Sequence, residues 1–340
     1  MMCKCRIGLI ATGIAVCALF VTGGCADPSK GPGRAGGKPE AQKATVPLAL
    51  KFTPGDSTAY RVTRETDKGV EWEGPESSRP KGSTGGHTGN RIEMAFTQHI
   101  QSADGAGKAL AKITITELKY LAKDKDQVTM DFDSSREKDL SSPLGKLIGQ
   151  SYTIELTASG QVSRVIDAAE ARAAVAGESV LSKTAANLLS DDTIKELHAL
   201  PGMPAAGKDQ PHIGESWSSL ESFSFDLMGA KAYEKVYTLE EIQQLGGHRI
   251  AIARMNAVPS AEMAKELHKE QNAAFFSNMF DNTETFTGDL KFDLTNGKVQ
   301  QWNETLETAW FIVDPNPKDQ QEPAALRMTA TRLHSIEQVN

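Results

Sequence analysis

All four cysteines of this chain, Cys3, Cys5, Cys17 and Cys25, lie within its first 25 residues. Whatever the rest folds into must therefore hold without disulfides, and its stability has to come from burial. Residues 48–340 are long enough to bury a sizeable core, as two units of ~150 residues or as one large β domain.

The hydrophobic period along that stretch is mostly two, the signature of half-buried strands. Val46, Leu48, Leu50 and Phe52 alternate, and the turn Pro54-Gly55-Asp56 leads into a strand from Ser57 to Glu65. Thr66 to Asn90 is rich in Gly, Ser, Pro and charge and reads as a mobile tract, although it carries Trp72. Strands are expected over Arg91–Gln101, Ala109–Tyr120 and Gln127–Ser134, the last with Val128, Met130 and Phe132 inward and Asp131 and Asp133 on the wet side. Tyr152–Leu156 and Gln161–Ile166 flank Ser159-Gly160 as a hairpin. The period then changes. Asp167 with Glu170 resembles a capping box opening a helix to Ala176, and Ser182–Leu200 continues helically, with Ala185, Leu188, Leu189 and Leu197 on one side, until Pro201-Gly202. Strands return from Gly214 to about Asp226, over Tyr233–Glu240 and His248–Met255, and over Phe286–Leu294 and Lys298–Val313 around Thr295-Asn296-Gly297. Leu326–Ile336 is the last strand, and Pro259–Asp281 reads as a helix.

The halves share a grammar. Gly55-Asp56-Ser57 precedes Tyr60, and Gly214-Glu215-Ser216 precedes Trp217. The hairpin Tyr152–Val162 has a counterpart in Leu290–Val299. Either the chain contains a duplication, or two hairpins converged on the same turn chemistry.

The extreme N-terminus carries an address. Lys4 and Arg6 precede the apolar run Ile7–Val21, and Thr22-Gly23-Gly24-Cys25 places small residues before a cysteine. This resembles the lipobox of bacterial lipoproteins, with Thr22 where Leu, Val or Ile is usual. On this reading residues 1–24 are a signal peptide, and Cys25 is cleaved to the N-terminus and lipidated. Two or three acyl chains then anchor the protein stably, at ~0.8 kcal/mol per buried methylene. The alternatives are an ordinary secretory signal ending near Gly24 and an uncleaved anchor, for which the apolar run is short of the ~20 residues a spanning helix needs. Ala26, rather than Asp27, directly follows the cysteine, which points to the outer membrane, facing the periplasm, where a diderm sorting rule applies. Residues 25–47 form a tether without apolar periodicity, whose ends would lie some 25 Å apart at ~5–6 Å × √n.

Cleavage removes Lys4 and Arg6 and no acid, taking the formal charge from −7 to −9. The tether carries four basic residues against Asp27 and Glu40, so the body beyond it is about −11. An acidic body without a basic cluster argues against nucleic acid as a partner.

Four short patterns taken together resemble a family of uncharacterised bacterial cell-envelope lipoproteins, a β-rich domain of unknown function. They are Gly55 to Tyr60, the Tyr152–Val162 hairpin, Leu200-Pro201 with Gly214 to Trp217, and Gly288 to Val299. The resemblance covers most of residues 48–338. It implies an envelope address and a β-rich fold, and brings no catalytic residues.

Motifs for chemistry are missing from the sequence. The seven histidines show no His-x-His or His-Glu-x-x-His spacing, so neither a metal nor another cofactor is indicated. Glu262, Glu266, His268 and Glu270 share a helix with Lys265 and Lys269 and read as a solvated face. There is no Gly-x-Ser-x-Gly, and Gly85-Gly86-His87-Thr88-Gly89 lacks a phosphate loop's lysine. Phe275, Phe276, Met279 and Phe280 wrap too wide for one narrow helix stripe; they pack in the core or form a ligand or partner surface.

The expected fold is β-rich α+β: two curved antiparallel sheets, or two half-barrels of one sheet. An N-terminal β lobe (48–166), a helical connection (167–200) and a C-terminal β lobe (201–340) with a helical insert near 259–281 make it up. The expected function is that of a membrane-anchored, non-catalytic binding or structural protein whose partner is another envelope protein or a hydrophobic ligand. The alternatives are a carrier of lipid in a half-barrel cavity and, last, a hydrolase with dispersed catalytic residues.

Overall fold

The computed structural model describes residues 46–76, 79, 85–204, 210–225, 230–260, 281–313 and 325–339. The signal peptide, Cys25, the tether to residue 45, and Phe275, Phe276, Met279 and Phe280 with the rest of the expected helical insert lie outside the described residues. No helix among the described residues is long and apolar enough to cross a membrane.

The chain builds a 12-stranded antiparallel sheet that does not close, with a few short helices. In chain order the strands are β1 (Ser57–Glu73), β2 (Gly86–Ala103), β3 (Ala109–Asp124), β4 (Gln127–Asp133), β5 (Ser151–Leu156) and β6 (Val162–Val165). After the helices come β7 (Ser216–Ser224), β8 (Ala230–Leu245), β9 (His248–Pro259), β10 (Asp281–Asp293), β11 (Lys298–Val313) and β12 (Ala325–Val339). The helices are α1 (Glu137–Leu140), α2 (Ala169–Val175), α3 (Val180–Leu188) and α4 (Asp191–His198). The sheet order is β6-β5-β3-β2-β1-β12-β11-β10-β9-β8-β7, with β4 beside β5 along the same edge of β3.

That order contains one five-strand unit twice. β6-β5-β3-β2-β1 and β11-β10-β9-β8-β7 run last strand to first across the sheet, with β12 between them. Five is odd, so β1 and β11 point the same way, and β12 between them keeps the ladder antiparallel on both sides. Local detail repeats too. Gly55 N–H donates to the Ile100 carbonyl at 2.8 Å and Ile100 N–H to that of Asp56 at 2.9 Å; Gly214, Leu239 and Glu215 do the same at 2.7 and 3.0 Å. Both glycines sit at positive φ, 91° and 87°, which an L side chain resists. Register shifts at Ile100/Ser102 and Leu239/Glu241 match, as do those at Glu155/Leu156 and Lys291/Phe292. The matched turns belong to one repeating supersecondary unit.

Several elements differ from the sequence expectation. Of the two expected arrangements, two sheets or one continuous sheet, the strands form one sheet. Leu48–Phe52 joins no ladder, although Val46 and Leu48 are buried; Lys51 N–H donates instead to the Gly297 carbonyl at 2.9 Å. Within Thr66–Asn90, residues 66–73 and 86–90 are strand: β1 continues to Glu73, paired with β12 throughout and with β2 as far as Val70. Polar cross-strand contacts carry it, such as His87 Nδ1 to Asp67 Oδ2 at 2.6 Å, and polarity had hidden it. A Cβ on Gly89 would run into the Thr66 carbonyl, so this glycine permits close pairing rather than linking. Asp167 does not cap α2, which starts after Ala168 with no side-chain cap. The expected long helix is two, restarted by Ser179 and Ser190, whose side chains accept from Ser182 N–H and Thr193 N–H at 3.0 and 3.2 Å. Val128 is exposed, whereas Phe132 of the same strand is buried.

Ala185, Leu188, Leu189, Ile194 and Leu197 dock α3 and α4 onto the sheet's main apolar cluster, with Val62, Met94, Ile113 and Ile154. A second cluster, Tyr233, Tyr237, Met255, Phe286, Leu306 and Trp310, covers the same face farther along.

Candidate functional site

Cross-strand register shows what that inner face carries. Directly paired residues share a face, so Arg64 (β1), His334 (β12), Glu304 (β11) and Gly288 (β10) form one row. The next row holds Thr66, Arg332, Leu306 and Phe286. On β8, Lys231, Tyr233, Lys235 and Tyr237 alternate onto the same face, and both tyrosines and Lys235 are buried.

Each lysine of β8 meets the same set of groups. Lys231 Nζ is 2.6 Å from Glu284 Oε2, which also accepts from Tyr233 OH at 2.9 Å, and lies 5.5 Å from the Trp310 ring centroid. Lys235 Nζ is 3.1 Å from Glu304 Oε1, which also accepts from Tyr237 OH, and lies 5.7 Å from the Trp302 centroid. Glu221 of β7 adds a second carboxylate to Lys235 at 2.6 Å. Burial pulls Lys235 down, but Glu304 and Glu221 outweigh it and hold the ammonium charged. Burial pushes Glu304 up, against the pull of Lys235. Both tyrosines are pushed up by burial first and then by their carboxylates, so they stay neutral donors.

Two histidines complete the face. Burial, then the charges of Arg64 and Lys235, push His334 down to about 3, and its ring stacks edge-on to Trp302 at 4.8 Å. His198 of α4 is likewise pushed down to about 3, by burial and then by His334; its Nε2 is 2.6 Å from Tyr152 OH. Both are neutral at physiological pH.

A cavity of about 820 Å³ opens over this face. Its sheet side includes Phe223, Phe286, Trp302 and Leu306 together with Arg64, Lys235 and Arg332. Its other side is α4 and the strap from Ala199 to Met203. The strap is pinned at both free edges of the sheet. Leu200 N–H donates to the Gly160 carbonyl at 3.0 Å, Gln161 Nε2 to the Leu200 carbonyl at 2.8 Å, and Trp217 Nε1 of β7 to the Gly202 carbonyl at 2.9 Å. Trp217 is in turn stacked on Tyr237.

The charged residues of this face, Arg64, Lys231, Lys235, Glu221, Glu284, Glu304 and Arg332, were not singled out from sequence. The usable signal was Lys231-x-Tyr233-x-Lys235-x-Tyr237, in which lysines share the buried face of a strand with aromatics. The carboxylates they meet lie on β7, β10 and β11, which only sheet register brings together. Of the residues that were singled out, Asp131 is on the wet side as expected, paired with Arg136 at 3.0 Å. His87, His99 and His248 contact Asp67, Ser57 and Asp293 separately. Among the described residues no group of three or more His, Cys, Asp or Glu converges as metal ligands. Ser57 Oγ is 2.9 Å from His99 Nδ1, but the matching pair in the second unit is Ser216 and Thr238 at 2.8 Å, so this is a cross-strand contact of the repeat rather than a nucleophile and its base.

No family model matches the chain, and no curated protein matches it. Among solved structures it is similar to DynF from the dynemicin biosynthesis pathway of Micromonospora chersina, with 9% identity over 91% of this chain and 94% of that one and a TM-score of 0.18. It is also similar to OpdL of Pseudomonas aeruginosa, with 8% identity over 84% and 99% and a TM-score of 0.17. Likenesses of this degree bring no function with them.

Proposed function

We propose that this chain is a membrane-anchored, non-catalytic lipoprotein of the cell envelope, held through lipidated Cys25 to the outer membrane facing the periplasm, and that it binds a ligand in the cavity beneath α4. The cavity carries the reading: about 820 Å³, in the range of small-molecule sites, with aromatic and aliphatic walls and a few convergent charges. The family resemblance of the sequence and the lipobox at Cys25 support the address. The sheet is read as two half-barrels of one continuous sheet, supported by the repeated five-strand unit and the division of the core into two clusters.

The carrier reading, in which the ligand is a lipid, is favoured by Phe223, Phe286, Leu306, Leu200 and Met203 lining one space. The hydrolase reading draws little support. His334 and His198 are held neutral, their values pushed far below the ordinary range, Lys235 is held charged between two carboxylates, and Ser219 Oγ in the cavity has no hydrogen-bond partner among the described residues to activate it. Native mass spectrometry of the protein purified from its own envelope tests the proposal. A co-purifying small molecule is expected, and a ligand-free mass under gentle conditions would refute it.

A further inference from the structure

The charges around the cavity pair off unevenly. Arg64 pairs with Glu196, Glu65 with Arg91, and Lys235 with Glu221 and Glu304. Arg332 has no carboxylate within ion-pair distance among the described residues. Its guanidinium lies instead over the Phe223 ring, 4.5 Å from the centroid, half-buried on the inner face between Thr66 and Leu306. Taking a guanidinium out of water without an anion in contact is costly, and burial followed by the charge of Arg64 pulls Arg332 below its ordinary value, against the smaller opposing pull of Glu196 and Glu221. One more donor lines the same cavity without a partner among the described residues, Ser219 Oγ. Beside these donors lie Phe286, Leu306, Leu200 and Met203. Unanswered donors next to an apolar wall match a ligand that is anionic at one end and apolar along the rest.

We infer that the cavity receives an amphiphile with a single anionic head group, a carboxylate or a phosphate, which Arg332 grips while its acyl chain lies against Phe223, Phe286 and Leu306. This rests on the binding reading above and names the ligand class for it. Arginine suits the task because its planar fork can give two parallel hydrogen bonds to either head group, and Phe223 holds that plane in place.

The full-length protein in phosphatidylcholine vesicles can be titrated with three diazirine-bearing probes: oleate, oleoyl lysophosphatidate and oleyl alcohol. Wild type, Arg332→Gln and Arg332→Lys are compared, with cross-linked peptides mapped and melting temperatures measured alongside. Labelling at Phe223, Phe286 or Leu306 by oleate or lysophosphatidate is expected, with half-saturation raised about tenfold or more in Arg332→Gln and partly restored in Arg332→Lys. The acid and phosphate arms identify the head group. Equal labelling by oleyl alcohol, or anionic labelling unchanged in Arg332→Gln, overturns the inference while leaving ligand binding intact. Cavity labelling by no probe overturns both. Should Arg332→Gln melt early, Arg332→Lys decides, because a lysine that folds normally and binds the anionic probes no better than the alcohol also overturns the inference.

Discussion

Lowering the pH from 6 to 4.5 should destabilise this protein through His198 and His334. Each has a folded-state value of about 3, set first by burial, against about 6.5 for an unfolded chain. A depressed histidine binds its proton more readily when unfolded, so its contribution is intact above pH 6.5 and is lost as the pH falls towards 3. Over pH 6 to 4.5 the loss is about 2 kcal/mol for each histidine and about 4 for both, if they titrate independently. The neighbours sharpen this. His334 faces Arg64, Lys235 and Arg332, so a proton there would meet three cations. His198 faces Tyr152, Phe96 and His334, with no carboxylate among the described residues acting on it to receive a charge. Urea denaturation at half-unit pH steps, on wild type, His198→Gln and His334→Gln, measures the slope. Each variant should flatten the pH dependence by about half while keeping the same urea slope. Carboxylates such as Asp293, whose native value is also lowered, contribute equally to all three proteins and cancel. Parallel pH profiles for wild type and both variants would refute the argument, showing that the rings reach water or a carboxylate in the native state.

Truncating Lys235 to Met should cost about 3–5 kcal/mol, because Glu304 and Glu221 are left facing one another, and adding Glu304→Leu should recover part of that loss in a double-mutant cycle. Cys25→Ala should release the protein from membranes or leave it unprocessed; a wild type never labelled by a fatty-acid analogue would end the lipoprotein assignment. Melting temperature should be the same with chelator and with reductant, and a fall of several degrees in either would reveal a stabilising metal or disulfide.

What the sequence determined alone was the local half of the fold. Period-two alternation located most strands, and Gly55, Gly160, Gly214 and Gly297 marked turns whose positive φ favours that residue. The shared turn grammar pointed to the two units that the sheet displays, because turn chemistry acts over four or five residues and is written in order along the chain. The polar arm of β1 beyond Glu65 was missed, because its partners His87 and the β12 residues lie 20 to more than 250 positions away. The cavity was equally out of reach. Arg332, Lys235 and Glu304 are ordinary charges in the sequence; only the register among β1, β12, β11 and β8 turns them inward together. Burial then decides which of them keeps a partner and which does not. Side-chain charge is a local property, but desolvation and pairing belong to the whole sheet, so the site exists only in the tertiary structure.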